Sequence, residues 1–115
     1  MKTVYHVMKT DGTKQTDEID WPAEPDYPHI KNLIEPLIGG EPLEHVTVLH
    51  GGKRADMFVS ELGSLKLTAR PPLPRNEAAT AIYRNNWMTR HPGTDPETLP
   101  PIHGTAILFD RIVWT

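Results

Sequence analysis

LPRNEAATAIYRNNW, residues 73–87, carries the strongest local structural signal in the chain. Asn76 precedes a run of good helix formers, and an asparagine side chain at that position can accept a hydrogen bond from a backbone N–H of the first helical turn. The pattern therefore predicts a helix that begins just after Asn76. This helix either closes the hydrophobic core or provides a binding surface.

Two hairpins are predicted on the N-terminal side of this helix. Residues 2–9 form a strand with Thr3, Tyr5 and Val7 on one side and Val4, His6 and Met8 on the other. Asp11-Gly12, a dipeptide suited to a tight turn, follows, so residues 14–19 form the returning strand. HVTVLH and DMFVS, joined by GGKRA, form the second hairpin. SLKLTA, residues 64–69, is a further short strand or extended piece. HGTAILF and RIVW are two final strands around an Asp110-Arg111 turn.

A second helix is predicted within HIKNLIEPLIGG. Its apolar residues recur at helical spacing and form one stripe that faces a sheet; they are Ile30, Leu33, Ile34, Leu37 and Ile38. Pro28 suits the first turn, whereas Pro36 removes an internal hydrogen bond and kinks or shortens the helix. Gly39-Gly40 ends it. The preceding WPAEPDYPH, with three prolines, is a loop.

This order of elements predicts an α+β fold, with a small antiparallel or mixed sheet of about five to seven strands and two helices packed on one face. A length of 115 residues corresponds to a single domain, residues 1–115. Residues 1–29 form its N-terminal hairpin and proline-rich loop, and residues 30–109 form its core.

Composition narrows the class of protein. The chain has no cysteine, which excludes disulfides and thiolate chemistry and favours a reducing compartment. Neither a signal peptide nor an apolar run long enough to span a bilayer is apparent, so we expect a cytoplasmic protein without a membrane partner. A formal net charge of −3 gives no strong nucleic-acid signal, because such binders place cations on phosphates.

The charge is nevertheless uneven. Residues 11–44 hold nine acidic residues against Lys14 and Lys31. Carboxylates can imitate a phosphate backbone, so Asp17, Glu18 and Asp20 are predicted to contact a partner, such as the basic groove of a host protein. The alternative is an acidic face that is simply solvated.

Helix 77–88 offers a second candidate site. A helix N-terminus attracts anions through its dipole and its unpaired N–H groups, and aromatic or guanidinium groups one turn later could stack on a base. A small nucleotide-like anionic ligand is therefore a further hypothesis, with a purely structural role for the same residues as its alternative. The predicted ligand-binding residues are Arg75, Asn76, Thr80, Tyr83, Arg84, Trp87 and His103.

Metal binding and catalysis receive little support from the sequence. His45 and His50 are five residues apart on one strand and point to opposite faces. His91, Asp95, Glu97 and His103 bracket one loop but lack the spacing of known zinc motifs. Neither a nucleophile motif nor a phosphate loop is present. We therefore predict no catalytic residues, no metal and no cofactor.

LIGG, PRNEAAT and HGTAILF occur in an order and spacing that resemble an uncharacterised family of short phage, plasmid and bacterial proteins, domain-of-unknown-function family 3846. The resemblance covers roughly residues 30–109 and implies a small α+β fold and a phage or mobile-element origin, without an activity. A non-enzymatic accessory protein that binds a host protein, such as a defence or DNA-handling enzyme, is the leading hypothesis. Localisation is then the host cytoplasm. One alternative is a pocket protein or small enzyme that sequesters or acts on a nucleotide-like anionic ligand. The other is a structural homo-oligomeric subunit, such as a homodimer.

Overall fold

A computed structural model describes residues 2–40, 42–61, 63 and 72–114. Its strands are β1 (Lys2–Met8), β2 (Lys14–Asp20), β3 (Leu43–His50), β4 (Lys53–Ser60) and β5 (Ala106–Phe109). Its helices are α1 (Tyr27–Ile34) and α2 (Glu77–Arg90), with short 3₁₀ turns at Glu35–Ile38 and Pro96–Thr98. The predicted extended piece at residues 64–69 lies outside the described residues.

The five strands form one antiparallel sheet in the order β2-β1-β5-β4-β3. Each predicted hairpin pairs locally, β1 with β2 and β3 with β4, and β5 then joins the two hairpins at the centre. The predicted α+β class and antiparallel sheet are confirmed, and the described residues contain five strands, the low end of the predicted range. Strands β2 and β3 are the two edges.

The two helices lie on opposite faces of the sheet, so the prediction that both pack on one face is wrong. Successive residues of β5 alternate between two apolar clusters, with Ile107 and Phe109 in one and Ala106 and Leu108 in the other. The first cluster contains α1 residues such as Ile30 and Ile34, and the second contains α2 residues such as Ala79. Because strand side chains alternate between faces, the two clusters lie on opposite sides.

The proline in the first predicted helix shortens it, as expected. The α-helix begins with Asp26 as its N-cap, whose carboxylate accepts a hydrogen bond from the His29 backbone N–H at 2.9 Å. It gives way at Glu35 to the 3₁₀ turn that contains Pro36, since proline has no N–H to continue the α-helical pattern. Gly39 ends this turn in a left-handed conformation with φ of 80°.

The predicted final strand RIVW is absent. Residues 111–114 carry no strand assignment, because the backbone N–H groups of Val113 and Trp114 donate to the Asp56 carboxylate instead of to a neighbouring strand. The same segment contacts the proline-rich loop, where the buried Trp21 donates from its indole Nε1 to the Val113 carbonyl at 3.0 Å. Segment 110–114 is therefore anchored on the α1 face of the sheet.

Candidate functional site: the acidic sheet edge

Strand β2 places the predicted partner-binding residues at an edge of the sheet. Asp17, Glu18 and Asp20 are all exposed, as is every residue of the strand except Ile19. Within the described part of the chain, β2 pairs with β1 alone. The three carboxylates therefore lie beside the side of the β2 backbone that faces away from β1.

Strand geometry divides the three carboxylates between the two faces. Asp17 lies opposite Tyr5, which packs against the apolar cluster that contains α1, and Ile19 packs against the same cluster. Glu18 and Asp20, on either side of Ile19, have the opposite orientation. Because side chains one residue apart point to opposite faces, Asp17 projects on the α1 side and Glu18 on the α2 side. The sequence predicted one acidic patch, whereas in the structure the carboxylates form a charged rim along β2, with members on both faces of the sheet.

The charges on this rim are weakly compensated. Asp20 forms an ion pair with Lys2 at 3.4 Å, but both side chains are mostly exposed, and exposed pairs of this kind contribute little. Burial and the neighbouring Asp17 carboxylate both raise the pKa of the Tyr5 phenol. The Asp17 carboxylate also accepts a hydrogen bond from the Glu18 backbone N–H at 2.7 Å.

Asn76, predicted as a ligand-binding residue, is instead part of the core. It is fully buried and caps α2 by accepting a hydrogen bond from the Ala79 N–H at 3.0 Å. Its amide nitrogen donates to the carbonyls of Met8 and Gly104, each at 2.9 Å. All the polar atoms of this side chain are thus engaged, and it joins the start of α2 to β1 and to the segment before β5.

Thr80 and Arg84, on α2, form hydrogen bonds with the segment that precedes β5. The Thr80 hydroxyl oxygen accepts a hydrogen bond from the Ile102 N–H at 2.9 Å, and Thr80 is 2% exposed. The Arg84 guanidinium donates to the Leu99 carbonyl at 2.9 Å and pairs with Glu97 at 3.5 Å. These internal bonds engage the Thr80 hydroxyl and the two terminal nitrogens of Arg84, which were predicted to bind an anion.

The remaining predicted ligand residues are dispersed. Arg75 forms an ion pair with Glu77 at 2.7 Å. The His103 Nδ1–H donates to the Leu73 carbonyl at 2.7 Å, so Nε2 is the acceptor nitrogen of the neutral ring. Tyr83 packs against the α2-side cluster. Trp87 is partly exposed and its ring lies 4.3 Å from that of His91.

Two separate surface clefts divide these side chains. One, of about 150 Å³, is lined by Tyr83 and His103 together with Glu44 and Glu61. The other, of about 300 Å³, is lined by residues that include Arg75, Thr80 and Arg84. The seven predicted residues thus do not converge on one of these clefts.

A buried acid–histidine pair was not predicted from the sequence. Asp56, on β4, is fully buried and lies 2.6 Å from Nε2 of His45 on β3. Its other oxygen accepts hydrogen bonds from the Val113 and Trp114 N–H groups at 2.7 and 2.9 Å. The detectable signal was an aspartate two residues before Phe58 on an apolar strand, since that spacing puts it on a core-facing side.

The contacts of this pair indicate a structural role and not a catalytic one. Burial raises the pKa of Asp56, but the hydrogen bonds from His45, Val113 and Trp114 outweigh it and hold the pKa below its ordinary value. The His45 ring lies between Phe58 and Trp114, with centroids 5.2 and 5.3 Å away. An ionised Asp56 therefore fixes segment 110–114 against the sheet.

The loop candidates for a metal site are also occupied by other contacts. Asp95 accepts a hydrogen bond from the Glu97 N–H at 3.0 Å, and Glu97, His91 and His103 have the separate contacts given above. Throughout residues 2–40, 42–61, 63 and 72–114, no three His, Cys, Asp or Glu side chains are grouped so that they could hold a metal ion.

Comparison with known proteins finds no matching family model, curated protein or solved structure. The resemblance to the phage and plasmid family therefore stays a prediction. In the described part of the chain, no helix is both long enough and apolar enough to cross a membrane.

Proposed function

We propose that this chain is a small non-enzymatic binding protein that uses the acidic edge strand β2 to contact a basic surface on a host protein. The observation that carries the proposal is that Asp17, Glu18 and Asp20 are exposed on an edge strand whose outer side is not paired within the described residues. Exposed carboxylates with little compensation favour association with a cationic surface. A host defence or DNA-handling enzyme, with its groove for phosphates, has such a surface.

Contacts elsewhere in the molecule support this choice over the nucleotide-like ligand. Asn76 and Thr80 are buried and bonded internally, and Arg84 is directed at the Leu99 carbonyl. An anion at the start of α2 would have to compete with those internal partners. Phage or mobile-element origin, cytoplasmic localisation and the identity of the host protein belong to the same proposal.

Capture from host lysate on the immobilised chain tests the proposal. The test variant carries Asp17→Asn, Glu18→Gln and Asp20→Asn, which remove three charges while the asparagine at 17 retains the acceptor for the Glu18 N–H. The matched control carries Glu24→Gln, Glu44→Gln and Glu61→Gln, three exposed acids that lie outside β2. Both variants have the same net charge.

We expect a protein that the wild-type chain and the control retain and that the β2 variant loses. Its retention should weaken as salt is raised, because screening shortens the range of exposed charges. A double-stranded DNA oligonucleotide should release it if the carboxylates imitate phosphates. Equal loss from both variants would mean that net charge alone is responsible, and undiminished capture by the β2 variant would refute the proposal.

A further inference from the structure

The outward-facing backbone groups of β2 can be identified from its pairing with β1. The Lys9 N–H donates to the Thr13 carbonyl at 2.9 Å, which makes residues 9 and 13 a hydrogen-bonded pair in the same register as the strands. Bonded and non-bonded pairs alternate in an antiparallel ladder. Gln15, Asp17 and Ile19 therefore bond to β1. The N–H and C=O groups that point away from the sheet belong to Lys14, Thr16, Glu18 and Asp20.

An independent contact supports this assignment. Val4 lies opposite Glu18, and its carbonyl accepts a hydrogen bond from the Asp110 N–H at 3.2 Å, on the side of β5. Since the Val4 backbone is directed away from β2, the Glu18 backbone is directed away from β1. The outer row of β2 thus contains the backbone groups that another strand would need.

At the opposite edge of the sheet, a side chain covers part of β3. Asn86 of α2 reaches over β3, where its Oδ1 accepts a hydrogen bond from the Leu49 N–H at 2.9 Å and its Nδ2 lies 3.4 Å from the Thr47 carbonyl. Asn86 is 7% exposed. Its carboxamide occupies the position that a peptide group of an added strand would take, so strand addition at Thr47–Leu49 requires displacement of a buried residue.

On β2, by contrast, the corresponding obstacle is small. The Asp17 carboxylate covers the Glu18 N–H at 2.7 Å, and both residues are exposed. An exposed side chain can rotate away at little cost, because water replaces its hydrogen bond. Among the described residues, β2 is therefore the sheet edge whose outer backbone groups are not covered by a buried side chain.

We propose that the partner contacts β2 by strand addition, through an extended basic segment that pairs with the outer backbone groups of residues 14–20. This inference rests on the proposed function and specifies the partner's contact element. Main-chain hydrogen bonds supply affinity in such complexes, and side chains supply selectivity. Cationic side chains of the segment lie beside Asp17, Glu18 and Asp20, and Lys14 disfavours a cation at the turn end.

Thr16 provides a specific test because its N–H points outward. Thr16→Pro removes that donor without removing a bond to β1, and proline is tolerated at edge positions whose N–H faces solvent. The Thr16 hydroxyl also contacts Nδ1 of His6 at 2.8 Å. Thr16→Val is therefore the matched control, since it loses the same side-chain contact and keeps the N–H.

Fluorescence anisotropy at low salt measures binding of a labelled heptapeptide of alternating lysine and valine, matched to the length of β2. We expect Thr16→Val to bind like the wild type and Thr16→Pro to bind about five- to tenfold more weakly, as the loss of one hydrogen bond implies. A lysine–proline heptapeptide with the same charge cannot form a strand and should bind the wild type more weakly than the lysine–valine peptide. Circular dichroism checks that both variants are folded.

The outcomes separate the two proposals. If the β2 charge variant loses the lysine–valine peptide but Thr16→Pro binds it like Thr16→Val, the acidic edge is correct and strand addition is wrong. Equal affinity of the wild type for the lysine–valine and lysine–proline peptides also overturns strand addition, whether or not Thr16→Pro folds. If the β2 charge variant binds as tightly as the wild type, the acidic-edge function itself is wrong.

Discussion

Replacement of Asp56 by alanine should destabilise the fold strongly. The carboxylate is fully buried and accepts hydrogen bonds from His45, Val113 and Trp114 at 2.6, 2.7 and 2.9 Å. Hydrogen bonds to charged groups contribute about 1.5–3 kcal/mol each, but the three are not additive because segment 110–114 can detach and regain water. We therefore expect the free energy of unfolding to fall by about 3–5 kcal/mol, the usual cost of breaking a buried pair.

Urea unfolding monitored by far-ultraviolet circular dichroism measures this loss by linear extrapolation. Asp56→Asn should cost less, about 1–2 kcal/mol, because an amide oxygen still accepts the two backbone N–H groups. Glu44→Ala, an exposed substitution on the adjacent strand, is the control and should change stability by less than about 0.5 kcal/mol. A loss below about 1 kcal/mol for Asp56→Ala would refute the role assigned to this carboxylate.

Three further predictions concern pH, the α2 cap and the β3 edge. The pKa of Asp56 is lowered in the folded chain, so the stabilisation by its carboxylate is present above the unfolded pKa of about 3.9 and is lost as pH falls through the folded pKa. In urea titrations, the stability difference between wild type and Asp56→Asn should therefore shrink on acidification. A constant difference would contradict this. Asn76→Ala leaves the Met8 and Gly104 carbonyls without their donor, so the midpoint of thermal unfolding should fall by an amount equivalent to about 2–4 kcal/mol. A loss of about 1 kcal/mol, which is typical of an exposed cap alone, would show that these two bonds are unimportant. Asn86→Ala uncovers the β3 edge, so light scattering should detect concentration-dependent association that is absent in the wild type; a variant that stays monomeric and as stable as the wild type would argue against the edge-blocking role.

Local signals predicted the elements well. The Asp11-Gly12 turn, the Asn76 cap and the effect of Pro36 each act within a few residues, and each appears where it was expected. The strand predicted at residues 111–114 failed because its backbone donors find a side chain 57 residues away in sequence at Asp56. Periodicity identifies an extended segment but not the partner of its N–H groups.

The placement of the helices needed information that their own sequences lack. An apolar stripe shows that a helix packs on a sheet but does not distinguish the two faces. The informative residues were in the strands, since Ala106–Phe109 is apolar throughout and every residue is buried. A continuous apolar strand indicates a sheet that is covered on both sides.

The candidate site was predictable in part. The acidity of β2 and its exposure follow from its own polar sequence, KQTDEID. The internal roles of Asn76, Thr80 and Arg84 did not follow, because their partners in residues 99–104 reach α2 only in the folded chain. A polar residue near a helix start is equally compatible with a ligand and with a distant carbonyl.

The central position of β5 has a consequence for how the chain acquires its structure. Each hairpin can form from neighbouring residues, but β1 and β4 are united only when Ala106–Phe109 inserts between them. Contacts between distant parts of a chain form slowly, because a long loop must first be closed. Until that insertion, the apolar edges of both hairpins are open to other chains. During synthesis, the interval before residue 109 leaves the ribosome should therefore be the period of greatest risk of aggregation, and chaperone binding should be strongest then.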